Sequence, residues 1–149
     1  MLSGPFEDIE VGAEVTTRGV TVTESHVVQF SGLTGDHAWL HVDAAAAAAG
    51  PFGARVAHGL LLLSLCGGMM YEHSSGWALA NYGYDRVRFT APVFLGDTVH
   101  LKVSCSAKER ETSDRGVVCL ELDLRNQHEE TVLVAQQRVL VAKRGANRR

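Results

Sequence analysis

The chain has no excess of basic charge. Fourteen Lys and Arg stand against seventeen Asp and Glu, leaving a net charge of −3 over 149 residues, so neither a nucleic-acid backbone nor an anionic membrane surface is an expected partner. Cysteine is scarce. Cys66, Cys105 and Cys119 are odd in number, lack metal-ligand spacing and sit in apolar or strand-like contexts. They read as small core residues in a reducing, cytoplasmic protein. No apolar run reaches the roughly 20 residues that span a bilayer; the stretch from Ala57 to Tyr71, uncharged unless His58 is protonated, is too short. Met1 to Glu10 has neither the basic start nor the apolar block of a signal peptide. HExxH, GxSxG, GxGxxG and the P-loop are all missing, which argues against a zinc hydrolase, an elbow-serine hydrolase, and a dinucleotide or nucleotide site. Neither a metal nor a cofactor is expected.

What is present predicts one domain with a core of its own. Residues 1–14 read as an irregular lead-in, and Val15 to Val22, rich in β-branched residues, as a first strand. Thr23 is placed to cap a short helix carrying Val27, Val28 and Phe30, which Gly32 and Gly35 end. Asp43 is placed to cap a second helix through Ala44 to Ala49, closed by Gly50-Pro51. From Gly59 to about Ser74 a longer helix is apolar on every face, so it should be enclosed by other structure. Its Gly67-Gly68 pair weakens it by about 1 kcal/mol per residue relative to alanine, and close approach of a backbone or a ligand would explain its presence. Ala78 to Phe89 reads as a strand. Period-two alternation then marks three more, around 99–106, 118–125 and 133–141, an antiparallel meander with one buried face. The layout is α+β, one buried helix wrapped by a sheet. Residues 144–149 read as a flexible basic tail.

Chemistry concentrates in one stretch, Phe30-Ser31-Gly32-Leu33-Thr34-Gly35-Asp36-His37-Ala38-Trp39-Leu40-His41-Val42-Asp43. A carboxylate and an imidazole in a water-poor pocket are tools of proton transfer. On a regular helix, residues five apart are turned by about 140°, so Asp36 and His41 can converge only on an irregular segment, which Gly35 and the break before Asp43 permit. The alternative is that Asp36 caps a turn and His41 lies at the surface. Asp43 reads as a helix cap, or else orients His41. His37 reads as solvent-facing or lining a groove, and Trp39 as packing, either in the body of the protein or on the pocket wall. His58 has two readings, a hydrogen-bonded structural residue or a site residue. Gly59 matters for its amide: first-turn N–H groups have no intrahelical partner and can meet a developing oxyanion. His37 and His41 are four apart, a metal-type spacing, but HExxH is missing and a third ligand would have to be Asp36 or Asp43.

The same residues carry a family resemblance. Phe30 through Asp43, then Phe52-Gly53-Ala54-Arg55-Val56-Ala57-His58-Gly59-Leu60, and later Asp85-Arg86-Val87-Arg88-Phe89-Thr90-Ala91-Pro92-Val93-Phe94-Leu95-Gly96-Asp97-Thr98 resemble three landmarks of the MaoC-like dehydratases, which include the (R)-specific enoyl-CoA hydratases of the hotdog superfamily. The resemblance implies a hotdog fold, with a long central helix wrapped by a curved antiparallel five-stranded sheet, and assembly as a homodimer or dimer of dimers. It implies reversible syn hydration of a trans-2-enoyl thioester, carried on CoA or acyl carrier protein, to an (R)-3-hydroxyacyl thioester. Asp36 and His41 match the catalytic pair around one water, and Gly59 matches the backbone oxyanion donor. Trp39, His58 and Arg88 are further candidates for substrate contact; Arg55, Arg86 and Arg88 read first as ordinary surface or strand-end charges, with contact to phosphates the alternative.

Two positions depart from the family pattern. After the aspartate many members have x-Asn-Pro-Ile-His, whereas this chain has His37-Ala38-Trp39-Leu40-His41, nearer to an Asp-His-x-Trp-Ile-His form. A serine found near Gly67 in some hydratases is absent, and Ser64 lies one turn earlier. The competing functions are a hotdog acyl-CoA thioesterase, which would activate water at the thioester carbon rather than at C3, and a non-catalytic partner subunit.

Overall fold

Thr23 and Asp43 do what their positions predict, and two of the helices around the site start from them. In this computed structural model, which describes residues 2–74 and 76–146 (the side chains of Glu72 and Ser74 excepted), a 3-10 turn at Phe6–Asp8 precedes strands β1 (Glu14–Thr16) and β2 (Val20–Thr21). Helices α1 (Glu24–Thr34), α2 (Trp39–Val42), α3 (Ala44–Ala49) and α4 (Gly59–Ser74) follow. Strands β3 (Ala78–Phe89), β4 (Thr98–Glu109), β5 (Arg115–Arg125) and β6 (Thr131–Ala142) complete the order. The Thr23 N–H donates to Nδ1 of His26, 3.0 Å away, at the start of α1. Asp43 Oδ1 accepts from the amides of Ala45 and Ala46 at 3.0 and 2.9 Å. Asp43→Ala should therefore cost about 0.5–2 kcal/mol of stability, read as a lowered Tm in thermal denaturation.

The sheet runs β1-β4-β5-β6-β3 with every pair antiparallel, and β2 also pairs with β4. Its inner face is set by period two, as the sequence predicts. Val99, Leu101, Val103 and Cys105 on β4 and Val118, Leu120, Leu122 and Leu124 on β5 point into the core. There they meet Leu61, Leu62, Cys66 and Met69 of α4. This is the α+β hotdog layout implied by the resemblance. Three register shifts interrupt the β3–β6 pairing, between 78 and 80, 81 and 83, and 85 and 88, and such irregularities bend a strand. Cys66 and Cys105 are the core residues the sequence predicts, but Cys119 is only half-buried and lies outside the core; burial pushes Cys66 up to about 12 and is the first cause of the rise of Cys119 to about 11, so neither offers a thiolate at neutral pH. No helix among the described residues is long and apolar enough to cross a membrane.

Five other expectations need correction. The first strand is split, because the Thr17 hydroxyl takes the Leu101 amide (3.0 Å) that a continuous ladder would use, and a Cβ on Gly19 would lie 2.9 Å from Thr98. Gly32 does not end α1. The helix continues to Thr34, and Gly35, with φ of 77°, turns it off by donating to Ser31 O at 2.8 Å. The last four strands are not a simple meander: β3 pairs with β6 rather than with its successor β4, so residues 90–97 cross from one side of the sheet to another. Helix α4 is not enclosed all round within one chain. Leu60 (61 % exposed) and Tyr71 (79 %) mark a stripe that includes exposed Ser64, Gly67 and Gly68, since the sheet covers one side of the helix only. Finally, Arg144 is not part of a free tail: its guanidinium reaches Asp8 at 2.7 Å and its amide reaches Glu7 at 3.1 Å. Residues 147–149 of the expected tail lie outside the described residues.

Candidate active site

Three segments meet at the N-terminus of α4. The first is the turn after α1, where Gly35 reverses the chain and leaves Asp36 to Ala38 non-helical. The second is α2, only four residues long, carrying His41. The third is residues 56–59, clamped from both sides: the Val56 amide donates to Leu40 O at 3.1 Å, and the Ala57 amide donates to Val93 O at 2.8 Å. The crossing segment 90–97 is in turn held by Asp97 Oδ2, which accepts the Phe94 amide at 2.7 Å. Each of the three sequence landmarks thus supplies one wall or clamp of the same corner.

Within it, Asp36, His41 and His58 each place a ligand-type atom within 4.8 Å of the others. The irregular segment required by the five-residue spacing is there, and it brings the carboxylate and the imidazole together. His41 is 8 % exposed, and its Nδ1 sits 2.7 Å from the Val56 carbonyl oxygen. A carbonyl only accepts, so the proton belongs on Nδ1 and the lone pair on Nε2. His41 is thereby preset as a base at one nitrogen. Asp36 is exposed, and its Oδ1 accepts the Ala38 amide at 3.3 Å; the backbone of Ala38 meets the carboxylate.

His58 is 2 % exposed. Its ring stacks on that of His41, with centroids 3.7 Å apart and planes at 25°. Its Nε2 lies 3.1 Å from the Asp36 carbonyl oxygen and 3.3 Å from Ser31 Oγ, while Nδ1 is buried without a partner. His58 therefore ties the Asp36 backbone to the His41 ring. The stacking had no signal in the sequence, because it depends on how two segments 17 residues apart are folded together. Two imidazoles and a carboxylate are also a possible cation set, but two of the four ring nitrogens already face backbone oxygens.

A cleft of about 360 Å³ opens beside this group, and His41, Gly59, Phe52 and Phe89 are among its lining residues. It is mostly apolar, which weakens competition from water for polar groups inside it. The Gly59 amide stands in the first turn of α4, where N–H groups have no intrahelical acceptor. Phe89 lies directly over this glycine: a Cβ there would fall 2.8–2.9 Å from three of its ring atoms. That contact was also missed by sequence reasoning.

The remaining candidates lie elsewhere. Trp39 does not line the cleft; its ring covers Gly50, where a Cβ would lie 2.6 Å from it. Asp43 is spent on capping α3 and does not orient His41. His37 is exposed, as expected. Arg55 pairs with Glu24 at 3.0 Å, and Arg88 donates to Val87 O at 2.8 Å.

Comparison with known proteins matches residues 7–125 to the family described as MaoC like domain. A 3-hydroxyacyl-thioester dehydratase Z of Mycobacterium tuberculosis (strain ATCC 25618 / H37Rv) is 47 % identical over 83 residues, 54 % of this chain and 55 % of that protein. The solved structure of a monoamine oxidase regulatory protein from Archaeoglobus fulgius superposes with a TM-score of 0.88 at 33 % identity, covering 95 % of this chain and 96 % of that one. A Mycobacterium tuberculosis protein described as having a double hotdog fold superposes at 0.82 with 19 % identity, over 97 % of this chain and 46 % of that one, a likeness of fold alone. The chain spans from about a third to just over half of the length of the first curated relatives it matches.

Proposed function

The chain belongs to the MaoC like domain family, and from that premise we propose that it catalyses reversible hydration of trans-2-enoyl thioesters to (R)-3-hydroxyacyl thioesters. The observation that carries the proposal is the preset His41, with Nδ1 against Val56 O and Nε2 left as a base, grouped with Asp36 and lining one cleft with Gly59.

The proposed reaction runs in these steps. One water is held by His41 and Asp36. His41 Nε2 takes its proton as the oxygen bonds to C3 of the enoyl chain. The C2–C3 π electrons move toward the thioester carbonyl, whose oxygen becomes an enolate oxygen facing the Gly59 amide. The positive end of α4 lies at the same place. The proton returns to C2 by way of Asp36 on the same face, which makes the addition syn. In the dehydration direction each transfer reverses.

The assembly proposed with this reaction is a homodimer or a dimer of such dimers. β3 ends the sheet order, so its outer edge is open to pairing, and exposed Leu60, Tyr71, Tyr82 and Phe89 accompany it. One domain, acting on a CoA or acyl-carrier-protein thioester in a reducing, cytoplasmic setting, completes the reading; the free thiols at Cys66, Cys105 and Cys119 fit it.

The test is hydration of crotonyl-CoA by the purified chain, followed by loss of the enoyl absorbance and by chiral analysis of the product. Formation of (R)-3-hydroxybutyryl-CoA is expected. Release of free CoA thiol without hydration would instead identify a thioesterase, and silence that ends only when a partner chain is added would identify a non-catalytic subunit.

A further inference from the structure

His58 takes no step in the proposed reaction, and its surroundings point to a different role. Ala57 and Gly59, on either side of it, line the cleft, but His58 does not. Its ring is turned into the protein, 2 % exposed, so the substrate contact that the sequence allows for it has no place in this fold. Both nitrogens of a ring so deeply buried need accounting for. Nε2 lies 3.1 Å from the Asp36 carbonyl oxygen and 3.3 Å from Ser31 Oγ, and Nδ1 is buried without a partner. A carbonyl oxygen only accepts, and among the described residues no acceptor faces Nδ1, so the proton belongs on Nε2. His41 has the opposite tautomer, with Nδ1 against the Val56 oxygen.

That N–H holds the turn which presents the carboxylate. Residues 36–38 are non-helical and Asp36 is exposed, so local contacts do most of what else is done to fix it. Its amide donates to Thr34 Oγ1 at 3.2 Å, and its carboxylate accepts the Ala38 amide at 3.3 Å. Both bonds are long and each spans two residues, so they shape the turn without anchoring it. The bond from His58 crosses 22 residues. Among the described residues, it is the hydrogen bond that ties Asp36 to a distant part of the chain. His58 is itself held on several sides. Its carbonyl accepts the Leu62 amide in the first turn of α4 at 3.2 Å, its ring lies on His41, and its second acceptor, the buried Ser31, belongs to α1.

We propose that His58 is a positioning residue for hydration: by donating from Nε2 to the Asp36 carbonyl it fixes where the Asp36 carboxylate stands, without touching the substrate itself. The kinetic consequence rests on the hydratase reading. The tautomer that makes the tether possible rests on the geometry alone.

Two measurements test it. Proton–nitrogen correlation spectra of the full chain, labelled on the histidine ring nitrogens and assigned against His58→Phe, read the tautomer and need no activity. The Nε2–H form is expected; the Nδ1–H form would overturn the proposal, because the tether would have no proton. The second measurement is crotonyl-CoA hydration. His58→Phe keeps a flat ring against His41 and removes the donor; His58→Gln keeps a side-chain N–H able to reach the same oxygen. His58→Phe should lower kcat on the order of 10²-fold, the loss typical of a reacting group misplaced by about 1 Å. KM should change by less than about 3-fold, because no substrate contact is lost. His58→Gln should recover about 10-fold of the loss, the size of one hydrogen bond. In an Asp36→Asn background His58→Phe should cost less than about 3-fold more, since a carboxylate already removed has no position to lose. Additive losses in that double variant, equal losses in His58→Phe and His58→Gln, or a loss carried in KM would each overturn the proposal. A wild type silent on crotonyl-CoA with His58 in the Nε2–H form would sink the hydratase reading and keep the tether; an active wild type with the Nδ1–H form would do the reverse.

Discussion

Replacing His41 with alanine is expected to lower kcat for crotonyl-CoA hydration by roughly 10²–10⁴-fold, the range for removing a positioned general base. The size of the effect follows from how completely the ring is committed. Its Nδ1 is held by Val56 O at 2.7 Å and its face is covered by His58 at 3.7 Å, so no rotation lets another group take over Nε2. The loss should appear equally in kcat and kcat/KM, because the proton transfer belongs to the transition state and not to ground-state binding. Alanine also leaves the buried Val56 carbonyl without its donor, at about 1–3 kcal/mol. A melting curve run alongside separates that loss from the chemical one. Asp36→Asn gives the cleaner comparison, since Asp36 is exposed and its replacement should change stability by about 0.5 kcal/mol or less. A His41→Ala variant that stays folded and keeps more than a tenth of wild-type kcat would remove His41 from the mechanism.

The second large effect is expected at Gly59, where one methyl group is enough. A Cβ there falls 2.8–2.9 Å from three atoms of the Phe89 ring, closer than real carbons approach, so the ring must leave or the start of α4 must shift. Both line the cleft. Since the proposed oxyanion donor is the amide of this same residue, a displacement of α4 by even part of an ångström weakens it. Gly59→Ala should then reduce kcat by up to ~10²–10³-fold, the loss typical of one missing oxyanion donor. The double variant Gly59→Ala/Phe89→Ala decides the cause. If the clash is responsible, removing the ring should restore part of the lost kcat, giving a coupling between the two sites that independent residues would not show. Strict additivity of the two single losses would mean that the methyl acts in some other way.

Much of this molecule was legible from local pattern. Period-two alternation places Leu101, Leu120 and Leu124 on the buried face, and the strand over Ala78–Phe89 matches the reading residue for residue. The caps at Thr23 and Asp43 are local chemistry, visible in the residue that precedes each helix. The failures share a different cause. That β3 pairs with β6, that Thr17 breaks the first strand by bonding to Leu101, and that Arg144 reaches back to Asp8 all depend on partners far away in the chain. Period and propensity carry no information about such partners.

The same division runs through the site. The sequence by itself determined the cast: a carboxylate, two histidines and a glycine at a helix start, with a spacing that lets Asp36 and His41 converge only off a regular helix, and a resemblance that implied a chemistry for such a set. The tertiary structure alone decided the geometry. It chose the nitrogen of His41 that keeps its proton by setting the ring against Val56. It laid His58 on His41 and tied it to Asp36, placed Phe89 over Gly59, and left Trp39 and Asp43 to packing and capping. The physical reason is that a residue's type fixes which bonds it is able to make, whereas its partners, its burial and its tautomer are fixed only when distant segments pack into one interior.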